Sequence, residues 1–184
     1  MMKMLKYAVD FATLAIIYFA WLRPRWKRQG KAVLAANTLM YLYMSGVLFV
    51  TLMPVITSLP FCFNHPYAPM HMVPFEDALY GRGDFVRQII LNVIMTMPFG
   101  FLYPLCRKCE GKGCSFLRCV LATVLLSLTI ELLQPLINGA RSADITDVIT
   151  NTAGGAIGYA AYCGLKPLIK AARKEGGRHG GRIY

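Results

Sequence analysis

Within residues 127–159, SLTIELLQPLINGARSADITDVITNTAGGAIGY, two apolar runs carry Glu131, Gln134, Arg141, Asp144, Asp147 and Asn151. These groups can hold a cation, hydrogen-bond a polar headgroup or move a proton. A charge in hydrocarbon costs roughly 2.5–3.5 kcal/mol on insertion scales, so such side chains face a bundle interior or a wet cavity. Glu131 and Gln134 lie three apart, while Asp144, Asp147, Asn151, then Gly154 or Gly155, and Gly158 step by three or four. Each series therefore occupies one face of a helix, and one polar face should meet the other. Asn92, Thr96 and Gly100 share a face in the same way further upstream. The carboxyls of Glu131, Asp144 and Asp147 outnumber the nearby base, Arg141. Such a cluster can bind a cation, keep one carboxyl protonated or pair with the arginine. The candidate binding set is Asn92, Glu131, Gln134, Arg141, Asp144, Asp147 and Asn151, with Glu131 and Asp147 as the candidate acid and base of any catalysis. Arg141 is expected to pair with Asp144 or Asp147, leaving Glu131 facing the cavity. Asp144 and Asp147 are also spaced as a helix N-cap and its third residue, so capping is an alternative account of Asp144.

These residues need helices to carry them across a bilayer. The chain has 184 residues, 56% of them hydrophobic and 16% charged, with a mean hydropathy of +0.46. Apolar runs at about 5–22, 32–56, 85–105, 116–133 and 144–165 approach the ~20 residues that span hydrocarbon as a helix. The expected fold is all-α: a polytopic membrane bundle of about five transmembrane helices over residues 1–165, followed by a basic cytoplasmic tail over 166–184. Pro98 is expected to kink the third helix, and Pro135 with NGARS to turn the chain after the fourth. Asp10, inside the first run, is expected to reach the interface, with pairing to another helix as the alternative. Tyr41, Tyr43 and Phe49 read as packing or lipid-facing aromatics, His71 as a surface histidine, and PFEDAL as a short helix at the membrane surface. The net charge of +11 falls between the apolar runs and not along one polar surface, so it argues for topology signals and against a nucleic-acid partner. Cys106 and Cys109 form a CxxC near Cys114, but no second pair accompanies them; the thiols are read as reduced and no metal or cofactor is expected.

The motifs IELLQ, RSADITD and NTAGGAIGY, with the upstream NVIMTMPFGFLYPL and HMVPF, resemble the VanZ-like family of bacterial membrane proteins across about residues 71–160. The resemblance implies a multi-pass cell-membrane protein with a link to teicoplanin-type glycopeptide resistance or envelope physiology. Membrane lipids and a cell-wall precursor or glycopeptide are the partners it implies. It also favours a site role for Asn92 over simple packing. This chain carries His71 where the family usually has Asn. Two alternatives use the same residues: an intramembrane enzyme acting on an envelope lipid or precursor, and a non-catalytic scaffold whose polar face is interhelical glue. The chain offers no Ser/His/Asp set to support the first of these.

Orientation follows from the charges. Fifteen Lys and Arg residues lie in the segments around 23–31, 107–118 and 166–182, against five at Lys3, Lys6, Arg82, Arg87 and Arg141. The positive-inside rule then places the N-terminus outside, the C-terminus in the cytoplasm, and the 57–85 and 135–143 connections outside. Cys62 is the one cysteine expected on the outer side. In intact cells, a chain keeping only Cys62 should react with a membrane-impermeant maleimide. Labelling that appears only after permeabilisation would reverse the orientation.

Overall fold

The computed structural model describes residues 2–62, 64, 66–81, 83–137 and 142–179. Helix α1 (Met2–Ile17) runs through one π-helical turn (Tyr18–Leu22) into α2 (Arg23–Gln29). Gly30, at φ 114°, ends that rod in a conformation open to glycine, and α3 (Lys31–Thr51) doubles back. The long connection that follows holds a 3₁₀ turn (Leu59–Phe61) and the one-turn helix α4 (Glu76–Leu79), where a surface helix was expected. Helices α5 (Phe85–Cys109), α6 (Phe116–Ile137) and α7 (Ile145–His179) complete the chain.

Four of these are long and apolar enough to cross a membrane: the rod Met4–Gln29, then α3, α5 and α6. The expectation of about five rests on α7, which falls short by composition because its first turns carry Thr146, Asp147, Thr150, Asn151 and Thr152. Its polar face is covered by protein instead: α7 packs on α5 and on α6, and α3 packs on the other side of α5. The helix also continues past Leu165 to His179, so the composition changes at the expected boundary of bundle and tail while the backbone conformation does not.

The prolines sit inside helices. Pro98 and Pro104 lie within an unbroken α5, and Pro135 lies within α6, so the turn after the fourth helix comes later than expected. A proline lacks the N–H that its i−4 carbonyl would accept. For Pro104 that carbonyl belongs to Gly100, and the buried Cys119 thiol of α6 donates to it instead at 3.5 Å. Nearby, the Tyr43 hydroxyl of α3 donates to the Met95 carbonyl at 2.7 Å, in the turn before Pro98.

Glycine sets the distance between α5 and α7. A Cβ built on Gly158 would strike the Met97 carbonyl oxygen, with the Gly100 Cα at 3.0 Å. One built on Gly154 would strike Thr96 Oγ1 and the Val93 carbonyl, and one on Gly100 the Gly155 carbonyl. A Cβ on Gly155 would meet Thr123 of α6. The missing side chains thus let α7 wedge between α5 and α6 with backbones almost touching. Towards the N-terminal end of the rod, Asp10 is 3% exposed and accepts the Val55 and Ile56 N–H groups at 2.6 and 3.0 Å. Its partners are backbone amides and not another helix's side chain: it caps the chain that leaves α3. At the opposite end, Asn37 of α3 donates to Glu110 Oε1 at 3.3 Å and Lys112 holds Oε2 at 3.0 Å. The hydrogen bond from Lys112 keeps the Glu110 carboxyl below its usual range.

Replacing Gly158 with alanine should cost about 1–3 kcal/mol, because the added methyl must displace backbone. The matching change at Gly46, whose Cβ would meet nothing within 4 Å, should leave the melting temperature in detergent unchanged. Equal melting temperatures for the two variants would show that this face does not set the helix spacing.

Candidate functional site

The site is built around the first two turns of α7. Asp144 is the N-cap: its carboxylate accepts the Thr146 N–H at 2.7 Å, which satisfies one of the amides left open at a helix start. The capping account of Asp144 is thus met in the structure, and its own N–H is turned to another partner. That N–H donates to Glu131 Oε2 of α6 at 3.1 Å. Glu131 is 2% exposed, so its carboxyl sits inside the bundle with a donor from the positive end of the α7 dipole.

One turn further along α7, Asp147 faces α5. Its Oδ1 accepts Asn92 Nδ2 at 2.7 Å and Gln88 Nε2 at 2.9 Å, while Asn92 also approaches Thr150 Oγ1 at 3.4 Å. The next turn carries Asn151, 1% exposed, whose Nδ2 donates to Ser127 Oγ of α6 at 2.8 Å. Its backbone carbonyl accepts the Thr96 hydroxyl of α5 at 2.7 Å. Asn151 Oδ1 is buried with no partner among the described residues, an open acceptor in the interior. α7 is thereby held on both sides by polar contacts that lipid cannot supply.

A third element closes the site. The connection before α5 runs beside the entry to α7, where the His71 N–H donates to the Ala143 carbonyl at 2.8 Å and the Ile145 N–H to the His71 carbonyl at 3.0 Å. The Phe75 N–H donates to Thr146 Oγ1 at 2.9 Å. Phe75 is held at φ 58°, a left-handed conformation that costs a residue with a Cβ about 1–2 kcal/mol. A small cavity lies there, lined by Phe75, Asp77, Phe85, Gln88, Asp144 and Thr146 among others.

Of the residues expected from sequence, Glu131 and Asp144 are bonded to each other, Asn92 is bonded to Asp147, and Asn151 lies one turn beyond. Gln134 is 5% exposed, and its amide has no hydrogen-bond partner among the described residues. Arg141 and its expected pairing lie outside the described residues. Gln88, Ser127 and Thr146 belong to the network and were not anticipated. The signal for two of them was present: Gln88 stands four before Asn92, and Ser127 four before Glu131. The contribution of His71 is made by its backbone, which no side-chain motif reveals.

Comparison with known proteins gives two findings. The VanZ/LLP1 family model matches residues 11–169. "Protein VanZ" of Enterococcus faecium is 34% identical over 124 residues, which cover 67% of this chain and 71% of that protein. No solved structure matches.

Removing the Asn92 amide should cost more than removing the Thr96 hydroxyl. Asn92→Ala takes the shorter of two amide donors from Asp147 and should lower stability by about 1.5–3 kcal/mol, the usual worth of a hydrogen bond to a charged group. Thr96→Val removes a neutral interhelical bond worth about 0.6–1 kcal/mol. Thermal unfolding of the two variants in one detergent gives the order, and the reverse order would place the anchor of α7 at Thr96.

Proposed function

The chain belongs to the VanZ/LLP1 family, and from that premise we propose that it acts at the outer face of a bacterial membrane in teicoplanin-type glycopeptide resistance or the envelope physiology behind it. The residues that carry this activity are those gathered at the start of α7. Its ligand is a polar headgroup or peptide, of the kind a cell-wall precursor or a glycopeptide presents. The observation that supports this reading is Glu131, an acid 2% exposed in a membrane-spanning helix, hydrogen-bonded to the cap of α7. Such an acid costs several kcal/mol to bury without function or compensation. Asp147, bonded to two amides of α5, supplies acceptors one turn along α7 from that cap, and the bias of basic residues towards the other side supports the outer location.

The same pair of carboxyls favours one second reading, proton transfer to or from an envelope lipid, with Glu131 or Asp147 as acid or base. Glu131→Gln separates the two. Glutamine keeps an oxygen that can accept the Asp144 N–H but cannot exchange a proton.

In a strain whose resistance depends on this protein, Glu131→Ala and Asp147→Ala should each return sensitivity to that of a strain lacking it, with membrane expression unchanged. Retained resistance in Glu131→Gln would favour binding, and its loss proton transfer. Full resistance from both alanine variants would remove this site from the function.

A further inference from the structure

A second feature lies well away from α7. The N-terminal rod and α3 touch through long aromatic side chains: Tyr7 and Phe11 against Phe49, and Tyr18 against Tyr41, at centroid distances of 5.8, 5.6 and 5.4 Å. Their backbones stand apart, and between them runs an apolar groove of about 590 Å³ lined by Phe11, Tyr18, Tyr41, Leu42, Gly46 and Phe49 among others. Its polar edges are already bonded: the Tyr41 hydroxyl donates to the Leu14 carbonyl at 2.7 Å, and Tyr18 and Thr38 hydroxyls pair at 3.0 Å. What remains open is hydrocarbon surface. On α3 the groove spans Thr38 to Phe49, which at the helical rise is about 16 Å, close to half of the ~30 Å hydrocarbon core. That is the depth of one leaflet, and so the length of one acyl chain.

One end of the groove is chemically distinct. There the rod passes through its π-helical turn, Tyr18–Leu22, which places Phe19 in the lining and lets α2 close on α3. Trp26 packs on Tyr18 and Tyr41 at 6.3 and 6.4 Å, an aromatic at the level where an interfacial belt sits. Within the next turns come Arg23, Arg25, Lys27, Arg28 and Lys31, all exposed and none in an ion pair among the described residues. At the other end of the groove, by Phe11 and Phe49, Lys6 is the one basic residue of the adjoining turns among the described side chains.

We propose that this groove is a binding site for one anionic phospholipid, its acyl chain lying between α1 and α3 and its phosphate headgroup held by the basic segment 23–31. The charge decides the occupant: a zwitterionic lipid would fill the apolar groove equally well but offers no net charge, whereas five exposed basic residues beside a membrane helix attract an anionic headgroup. The leaflet is the one on the side of α2. The site is independent of the α7 network and does not share a residue with it.

The test uses the purified full-length chain in nanodiscs of equimolar phosphatidylglycerol and phosphatidylcholine, released into native mass spectrometry. One phosphatidylglycerol should remain bound per chain, about tenfold over phosphatidylcholine. Gly46→Leu adds a side chain on the groove wall, where a Cβ meets nothing within 4 Å, and should remove the adduct. Replacing Arg23, Arg25, Lys27 and Arg28 with glutamine should keep a lipid but equalise the two headgroups. A measurement that needs no groove variant is quenching of Trp26, in a Trp21→Phe chain, by lipids brominated on the acyl chain. Half-quenching should come at a several-fold lower mole fraction of brominated phosphatidylglycerol than of brominated phosphatidylcholine, with the gap closing at high salt. Equal retention and equal quenching by the two lipids would overturn the proposal, as would an undiminished adduct in folded Gly46→Leu.

Discussion

The near-contact of the α5 and α7 backbones at Gly100, Gly154 and Gly158 is the constraint on which the other arrangements depend. Helices in lipid gain little from burying apolar surface against one another, because the alternative solvent is equally apolar. Close approach matters because it brings short polar side chains within reach of the neighbouring helix. Thr96 bonds the Asn151 carbonyl, and Asn92 bonds Asp147, only because nothing larger than hydrogen stands between the two rods.

The bundle is consequently polar inside. On α6 the buried side includes Thr123, Ser127, Glu131 and Gln134, while Leu117, Leu121, Leu125 and Leu132 point outward. A water-soluble protein would reverse that arrangement. Here the leucines meet hydrocarbon, and the polar groups find partners in protein, where each interhelical hydrogen bond replaces an unsatisfied group. Asn151 shows the limit of that pairing, with one end of its amide bonded and the other open.

The ends of the bundle are tied by backbone groups. Asp10 holds the chain as it leaves α3, and the short ladder between His71 and the entry of α7 holds the long connection over the site. Both satisfy a loop's N–H or carbonyl groups with a single carboxylate or strand-like pair. Phe75 carries the conformational cost of that seating, since its N–H must turn towards Thr146.

Sequence alone determined the all-helical membrane class, the family resemblance and the helix faces that carry chemistry. Each rests on something local: run length against bilayer thickness, quoted motifs, or a period of three to four residues. It also put Gly154 or Gly155 and Gly158 on the same helix face as Asp144, Asp147 and Asn151, because they continue the same period. It set the turn after the fourth helix at Pro135, which the structure keeps inside α6; it was silent on Pro104, whose orphaned Gly100 carbonyl takes the Cys119 thiol of another helix as its donor. Spacing could group Asp144 with Asp147, but only the tertiary structure decided that they serve different neighbours, α6 through Glu131 and α5 through Asn92 and Gln88. It alone decided that Asp10 caps a loop 45 residues away, and that α1 stands off from α3 to leave a groove. Those outcomes depend on which surfaces meet, and meeting is set by the summed fit of whole helices and not by the period of any one of them.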